Sequence, residues 1–210
     1  MKRILIVDDH PIVRDGIKNA LENDIEMSIC GEASDGFQAI KLVKTRKFDL
    51  VILDLNLPNM DGLETLQILK TVEPDLPVLI LSMHSAEEYA IRALKSGASG
   101  YLPKDTKPRI LIHALKKILS GGKYIPPSVA EEFIDSLGAK NLPRHENLSH
   151  REYQIMKFIG KGMTPREIAS ELSISPRTVG TYRSRIFVKM NFKSNSHIVK
   201  YCLEKKIIST

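Results

Sequence analysis

Tryptophan is absent from the 210-residue chain, aromatic residues make up 6% of it, and cysteine occurs twice. Cys30 and Cys202 stand far apart and match no metal-ligand or redox spacing, which predicts free thiols in a reducing compartment. No apolar run approaches the ~18 residues that a membrane span requires. Met1-Lys2-Arg3 followed by Ile4 to Val7 imitates the start of a signal peptide, but Asp8-Asp9 ends the run after four residues. Internal repeats and low-complexity tracts are missing too. These absences predict a soluble, cytoplasmic protein with no membrane partner. What is present is 42% hydrophobic and 27% charged, an ordinary globular composition that excludes wholesale disorder and collagen-like repeats. At roughly 100–200 residues per domain, the length fits one large domain or two small ones.

Charge is unevenly spread. Residues 1–125 hold 17 basic and 17 acidic side chains. Residues 141–210 hold 13 basic and 5 acidic ones, a surplus of eight that exceeds the +6 of the whole chain. A neutral front and a basic back predict two domains, the second facing a polyanion. A basic surface kept for solubility is the plainer alternative.

Two periods alternate over the first 120 residues. Short apolar runs rich in β-branched residues occur at 4–7, 50–53 and 78–81, with weaker strand signals at 27–30 and 99–102. Near-continuous apolar runs suit parallel strands covered on both faces. Helical stretches fall between them near 12–23, 36–46, 62–71, 86–96 and 108–120, the last stopped by Gly121-Gly122. Five strands alternating with five helices predict an α/β doubly wound five-stranded parallel sheet of flavodoxin-like type over residues 1–122. A linker with a possible short helix at 126–137 follows over 123–147. Residues 148–210 carry helical signals alone, near 149–160, 165–172, 176–190 and 196–205. Ser149-His-Arg-Glu152 and Thr164-Pro-Arg-Glu167 fit the capping box, and Ser175-Pro176 and Ser196 mark two more starts. The prediction there is an all-α four-helix domain.

Ligands of open parallel sheets bind beyond the carboxyl ends of the strands. That rule collects Asp8-Asp9 after the first strand, Asp54 after the third, Ser82 after the fourth and Lys104 after the fifth. Three carboxylates at one edge raise one another's pKa unless a cation joins them. Mg²⁺ suits them, and a carboxylate beside such an ion can attack a phosphoryl group and become an acyl phosphate. Lys104 offers a compact positive charge to phosphoryl oxygens and Ser82 a hydroxyl. Singly, each residue has a duller reading: Asp9 capping the first helix, Asp54 in a turn, Lys104 on the surface. Their joint placement at four strand ends is far less common.

These residues carry a family resemblance. Ile-Leu-Ile-Val-Asp8-Asp9-His10, Asp54-Leu-Asn-Leu-Pro58-Asn-Met-Asp61-Gly62, Ser82 and Gly100-Tyr101-Leu102-Pro103-Lys104 resemble the receiver domain of two-component response regulators, a CheY-like fold. The resemblance implies that Asp54 accepts phosphate from a sensor histidine kinase. It implies that Asp8, Asp9, Asp54 and the backbone carbonyl of Asn56 hold Mg²⁺, and that Lys104 pairs with the acyl phosphate. Ser82 and Tyr101 take the switch positions, with Tyr101 expected to turn from exposed to buried on phosphorylation. Many receivers follow the lysine with proline in a cis bond; here Asp105 follows, and both isomers stay open. Asn56 and His84 are candidates for setting the phosphate lifetime.

In the segment 176–190, Val179, Tyr182, Ile186 and Met190 recur at helical spacing as one apolar face. Arg177, Gly180, Thr181 and Ser184 gather opposite, flanked by Arg183, Arg185 and Lys189. Four basic residues and no acidic one in fifteen suit a helix lying against phosphates and base edges. The residues assigned to DNA are Arg177, Thr178, Thr181, Arg183, Ser184, Arg185 and Lys189. Leu148-Ser-His-Arg-Glu152, Gly162-Met-Thr-Pro-Arg-Glu167, Thr178-Val179 and Ile186-Phe-Val-Lys189-Met190 resemble a LuxR-type helix-turn-helix domain. Behind a receiver, that domain makes the chain similar to NarL/FixJ-type response regulators. The resemblance implies regulation of transcription on double-stranded promoter DNA, a homodimer when phosphorylated, and RNA polymerase as a further partner. It also implies no enzymatic activity beyond the protein's own phosphorylation and dephosphorylation. The chain departs from the family at Gly180, where a lysine is usual, and at Asn195-Ser196, where an arginine often stands. Two rivals remain. A Mg²⁺-dependent phosphatase or phosphotransferase with an Asp nucleophile needs a second acid two residues on, where Asn56 stands. A phosphorylation-independent regulator leaves the complete pocket unexplained.

Overall fold

The structure is a computed structural model that describes residues 1–22, 24–83, 86–127, 129–130, 145 and 148–208. The chain divides into two compact units, residues 1–140 and 141–210. His84 and most of the possible helix at 126–137 lie outside the described residues.

The first unit alternates strand and helix: β1 (Lys2–Val7), α1 (Pro11–Leu21), β2 (Met27–Ala33), α2 (Gly36–Thr45), β3 (Leu50–Asp54), α3 (Gly62–Val72), β4 (Val78–Ser82), α4 (Ala86–Lys95), β5 (Gly100–Pro103) and α5 (Pro108–Leu119). The five strands pair in parallel in the order β2-β1-β3-β4-β5. Ile4 to Val7 and Leu50 to Leu53 are each 1% exposed or less, as strands covered on both faces must be. On one face Ile4, Ile6, Leu50, Ile52, Leu79 and Leu81 pack under Ile17 and Leu21 of α1 and Leu111, Leu115 and Ile118 of α5. Alternation along each strand turns the intervening residues toward the other face.

Helix starts follow their residue chemistry. Asp35 accepts from the Gln38 N–H at 2.8 Å and Asp61 from the Leu63 N–H at 2.8 Å, capping α2 and α3. α1 and α5 open on Pro11 and Pro108, whose fixed φ suits a first turn, and neither has a side-chain cap. Asp9 therefore does not cap α1; His10 holds the N-cap position. Gly121, with φ of 87°, turns the chain after α5. Tyr124, expected in the linker, then joins the sheet. Its N–H donates to Ser99 O at 2.9 Å and its carbonyl accepts from the Tyr101 N–H at 3.1 Å.

The second unit holds α6 (His150–Gly160), α7 (Pro165–Glu171), α8 (Pro176–Met190) and α9 (Asn195–Glu204). Both capping boxes form. The Ser149 and Thr164 hydroxyls accept from the N–H groups of Glu152 and Glu167, and each glutamate accepts in return from its partner's backbone N–H at 2.7 Å. Ser173, with φ of 51°, makes the turn between α7 and α8. α9 starts at Asn195 with Ser194 before it, a shift from the expected start at Ser196. Val179, Ile186 and Met190 of α8, Tyr153, Ile155 and Met156 of α6, and Ile198 and Cys202 of α9 are each exposed by no more than 1%, with α6 packed against both α8 and α9. Tyr182, expected on that apolar face, is half-buried.

Candidate functional site: an acidic pocket and a basic helix

The sheet register brings the predicted pocket residues to one edge. Val7 stands beside Leu53, Asp54 beside Leu81 and Ser82 beside Pro103, so the chain leaves four strands at nearly one level. Asp8, Asp54 and Ser82 are 2% exposed or less, and Asp9 is partly exposed. Lys104 Nζ lies 2.7 Å from Asp8 Oδ2 and 2.7 Å from Asp54 Oδ2, bridging the two carboxylates. The Lys104 N–H donates to Ser82 O at 2.8 Å, which fixes the lysine stem against the end of β4. Carboxylate oxygens of Asp8, Asp9 and Asp54 and a ring nitrogen of His10 lie within 4.8 Å of one another.

Charge does not balance in this pocket. Burial pushes the Asp54 carboxyl above its ordinary range; the Lys104 charge opposes that and the Asp8 charge adds to it. Burial likewise lowers Lys104, but the Asp54 and Asp8 carboxylates outweigh it and hold the ammonium above its ordinary value. Two carboxylates thus share one ammonium, and the Asp9 carboxylate stands close by. Asp54 Oδ1 is buried and accepts no hydrogen bond, an expensive state for a carboxylate oxygen. The surplus of negative charge fits a hard divalent cation with oxygen ligands.

The loop after β3 folds back closely on the end of that strand. The Gly62 N–H donates to Leu55 O at 3.0 Å, and a Cβ on Gly62 would run into the Asp54 carbonyl oxygen and Leu55 Cα. Asn59 takes a positive φ of 66°, and half-buried Asn56 sits at the start of the loop, two residues past Asp54. Among the described residues no peptide bond is cis, so Lys104–Asp105 is trans.

Tyr101 corrects an expectation. It is fully buried rather than exposed, shares a side-chain hydrogen bond with Ser82, and burial pushes its phenol up to about 12. A ring that removes this much apolar surface from water and still satisfies its hydroxyl has no physical reason to face outward.

Two contributors escaped the sequence. His10 Nδ1 is hydrogen-bonded to Asp8 Oδ1 at 3.1 Å and lies 2.7 Å from Asp9 Oδ1, the latter a close approach without hydrogen-bond alignment. Arg14 donates to the Asp8 backbone carbonyl at 2.7 Å and to Glu32 Oε2 at 3.0 Å, tying the loop after β1 to the end of β2. Arg14 and Lys18 stand at i, i+4 and both reach Glu32, a pairing hinted at by spacing alone.

In the second unit, Arg177, Thr181, Ser184 and Arg185 of α8 are exposed and Thr178 is half-buried. Arg183 donates to Asn195 Oδ1 at 2.8 Å, and its guanidinium lies 4.8 Å from the Phe187 ring centroid. Lys189 is differently placed from the other basic residues. Its Nζ is 2.6 Å from Glu152 Oε2, on a carboxylate 1% exposed that also closes the cap of α6. That pair ties Lys189, whose own side chain is 41% exposed, to a buried acid of α6.

Residues 4–116 match the model of the response regulator receiver domain, and residues 146–202 match that of bacterial regulatory proteins of the luxR family. The chain is 35% identical to the response regulator UvrY of Escherichia coli K12, over 91% of this chain and 88% of that protein. It is 34% identical to the oxygen regulatory protein NreC of Staphylococcus carnosus, over 98% of this chain and 99% of that one. A solved complex of the response regulator RcsB with DNA superposes with a TM-score of 0.60 at 25% identity, covering 95% of this chain and 96% of that one. A receiver with an acidic pocket, joined to a helix-turn-helix unit, defines a response regulator that controls transcription through phosphorylation. The chain belongs to the NarL/FixJ-type branch of that family. Its relatives are regulators and not enzymes in the ordinary sense. Among the described residues no helix is long and apolar enough to cross a membrane.

Two stability predictions come from this geometry. Because the folded protein holds the Asp54 proton above the ordinary value of 3.8, ion-free protein loses stability as pH rises from there through the raised folded value. Asp54→Asn should remove that loss and stabilise ion-free protein at neutral pH by about 1–2 kcal/mol, the scale of one uncompensated buried group. Thermal unfolding in a chelator, across pH, reads the difference. Lys189→Ala should destabilise the second unit by about 1–3 kcal/mol, because the Glu152 carboxylate stays buried without its cation. Urea unfolding of the full chain should show that loss, with Arg185→Ala close to wild type.

Proposed function

We propose that Asp54 accepts a phosphoryl group from a sensor histidine kinase and that this modification governs promoter binding by the second unit. The observation that carries the reading is the buried, unbonded Oδ1 of Asp54 beside an ammonium held on its Oδ2. A carboxylate with one oxygen fixed and the other left without a donor is a nucleophile aimed into the pocket. Mg²⁺ held by Asp8, Asp9, Asp54 and the Asn56 carbonyl would neutralise the phosphoryl oxygens and draw the donor into line. Asp54 Oδ1 forms the new O–P bond as the P–N bond of a phosphohistidine breaks, and the departing imidazole nitrogen takes up a proton. Lys104 then exchanges one carboxylate contact for a phosphoryl oxygen. Catalysis by the protein is confined to gaining and losing its own phosphoryl group.

Switching follows from the same pocket. A phosphoryl group adds acceptor oxygens that the Ser82 hydroxyl can bond, and turning that hydroxyl away from Tyr101 removes the ring's partner. The altered surface around α4 and β5 is the two-state element that favours a homodimer and tighter binding of double-stranded promoter DNA. Arg177, Thr178, Thr181, Arg183, Ser184 and Arg185 are the DNA-facing set, with Lys189 bracing the helix from behind. The 123–147 segment connects the domains, RNA polymerase is the downstream partner, and two cysteines outside any disulfide agree with a cytoplasmic setting.

Incubated with Mg²⁺ and acetyl phosphate, the protein should gain one phosphoryl group by intact mass. Asp54→Asn should abolish the gain and Asp9→Ala weaken it. Equal labelling of Asp54→Asn overturns the assignment. Light scattering and DNA titration before and after labelling should show a larger mass and a lower Kd. Ser82→Ala should accept the label while losing both changes. Identical mass and affinity in the two forms would remove the switch.

A further inference from the structure

We propose that α8 reads thymine through its methyl group, with Val188 and the methyl of Thr181 as the specificity-determining contacts; this rests on the DNA-binding reading above and names what that surface recognises. Arg177, Thr181, Ser184 and Val188 are spaced four, three and four residues apart. They share the face of α8 opposite buried Val179, Ile186 and Met190. Val188 is 82% exposed there. A single exposed valine is ordinary. One centred on the outward face of a basic helix, between residues that a polyanion must approach, has a covering partner implied by charge: the second unit's surplus of eight positive charges calls for nucleic acid.

Hydrogen-bonding readers are scarce on this face. The Thr181 hydroxyl donates to Arg177 O at 3.2 Å and the Ser184 hydroxyl to Gly180 O at 3.1 Å. The Thr178 hydroxyl is shared with Ser175 at 2.8 Å. The donor hydrogens of Thr181 and Ser184 are spent on the helix's own backbone, which leaves their oxygens as acceptors beside the Thr181 methyl. Gly180 contributes no side chain, and a Cβ built on it meets nothing within 4 Å, so the middle of the face is low and open to close approach. Arg177 is left as the fork suited to guanine. Apart from those acceptor oxygens, the face offers a base edge apolar carbon, and in the major groove the apolar feature is the thymine C5-methyl. Phosphate contacts supply affinity without sequence, so discrimination falls to these carbons. Thr181 and Val188 are seven residues apart, about 10 Å along the helix. With α8 running along the groove, that spacing spans about three base-pair steps of roughly 3.4 Å.

Deoxyuridine differs from thymidine by that methyl alone and keeps the pairing, which makes the test narrow. An operator is selected from a random duplex pool with full-length protein treated with acetyl phosphate. Each thymine is then replaced singly by deoxyuridine and Kd is read by fluorescence anisotropy. Two positions about three base pairs apart should each weaken wild-type binding about three- to fivefold, the scale of one buried methyl. Val188→Ala should erase the penalty at one and Thr181→Ser at the other, while Arg177→Ala leaves both. Val188 is exposed, so its truncation leaves the fold intact, and circular dichroism checks this. Wild-type binding indifferent to every deoxyuridine, or penalties that survive both variants, overturns the proposal while leaving DNA binding in place. A protein that selects no duplex at all overturns the DNA-binding reading beneath it.

Discussion

One ammonium between two buried carboxylates organises the first unit. Lys104 reaches Asp8 and Asp54 at 2.7 Å each, from a strand at the far edge of the sheet. Such a contact requires β1, β3 and β5 to end level, which the parallel register supplies, and requires the chain after β3 to lie flat, which Gly62 permits. Burying two acids against one base, with a third carboxylate beside them, is poor for stability. It is useful for function, because any ligand that brings positive charge, or gives the lysine a better anion, is drawn to the same few ångströms.

The second unit is arranged around a buried acid as well, with the opposite outcome. Glu152 is satisfied from two sides, by the Ser149 N–H and by Lys189. The pair locks the C-terminal end of α8 to the N-terminus of α6 and gives the buried Glu152 carboxylate its cation. One domain keeps its electrostatics unfinished at the sheet edge and the other completes them inside the bundle. The first arrangement leaves room for an added charge, and the second holds a helix rigidly in place.

Most of this was legible from residue order, for identifiable reasons. Strands covered on both faces announce themselves as apolar runs, and Ile4 to Val7, Leu50 to Leu53 and Val78 to Leu81 all became strands. Caps are local chemistry, so the Ser149–Glu152 and Thr164–Glu167 boxes could be named from spacing. The convergence of Asp8, Asp9, Asp54, Ser82 and Lys104 followed from strand ends alone. What stayed hidden depends on partners distant in sequence. Nothing in the spacing pairs Lys189 with Glu152, 37 residues away. Arg14 reads as a surface base until the Asp8 carbonyl and Glu32 converge on it. Periodicity says which side of a helix is dry, not which charge across the fold it will meet.

The pairing of Tyr124 with β5 bears on where the first unit can be cut. β5 is the last strand in the sheet order, and its outer backbone groups at Ser99 and Tyr101 are covered by Tyr124 alone among the described residues. The Tyr124 ring lies edge-on to His113 and under Lys117 of α5, which holds this short cover in place. A fragment ending at Gly122 would strip it away. It would present an open strand edge of the kind that templates pairing with a second chain and leads to aggregation. Where this fold ends is therefore set by the protection of an edge and not by the last turn of its last helix.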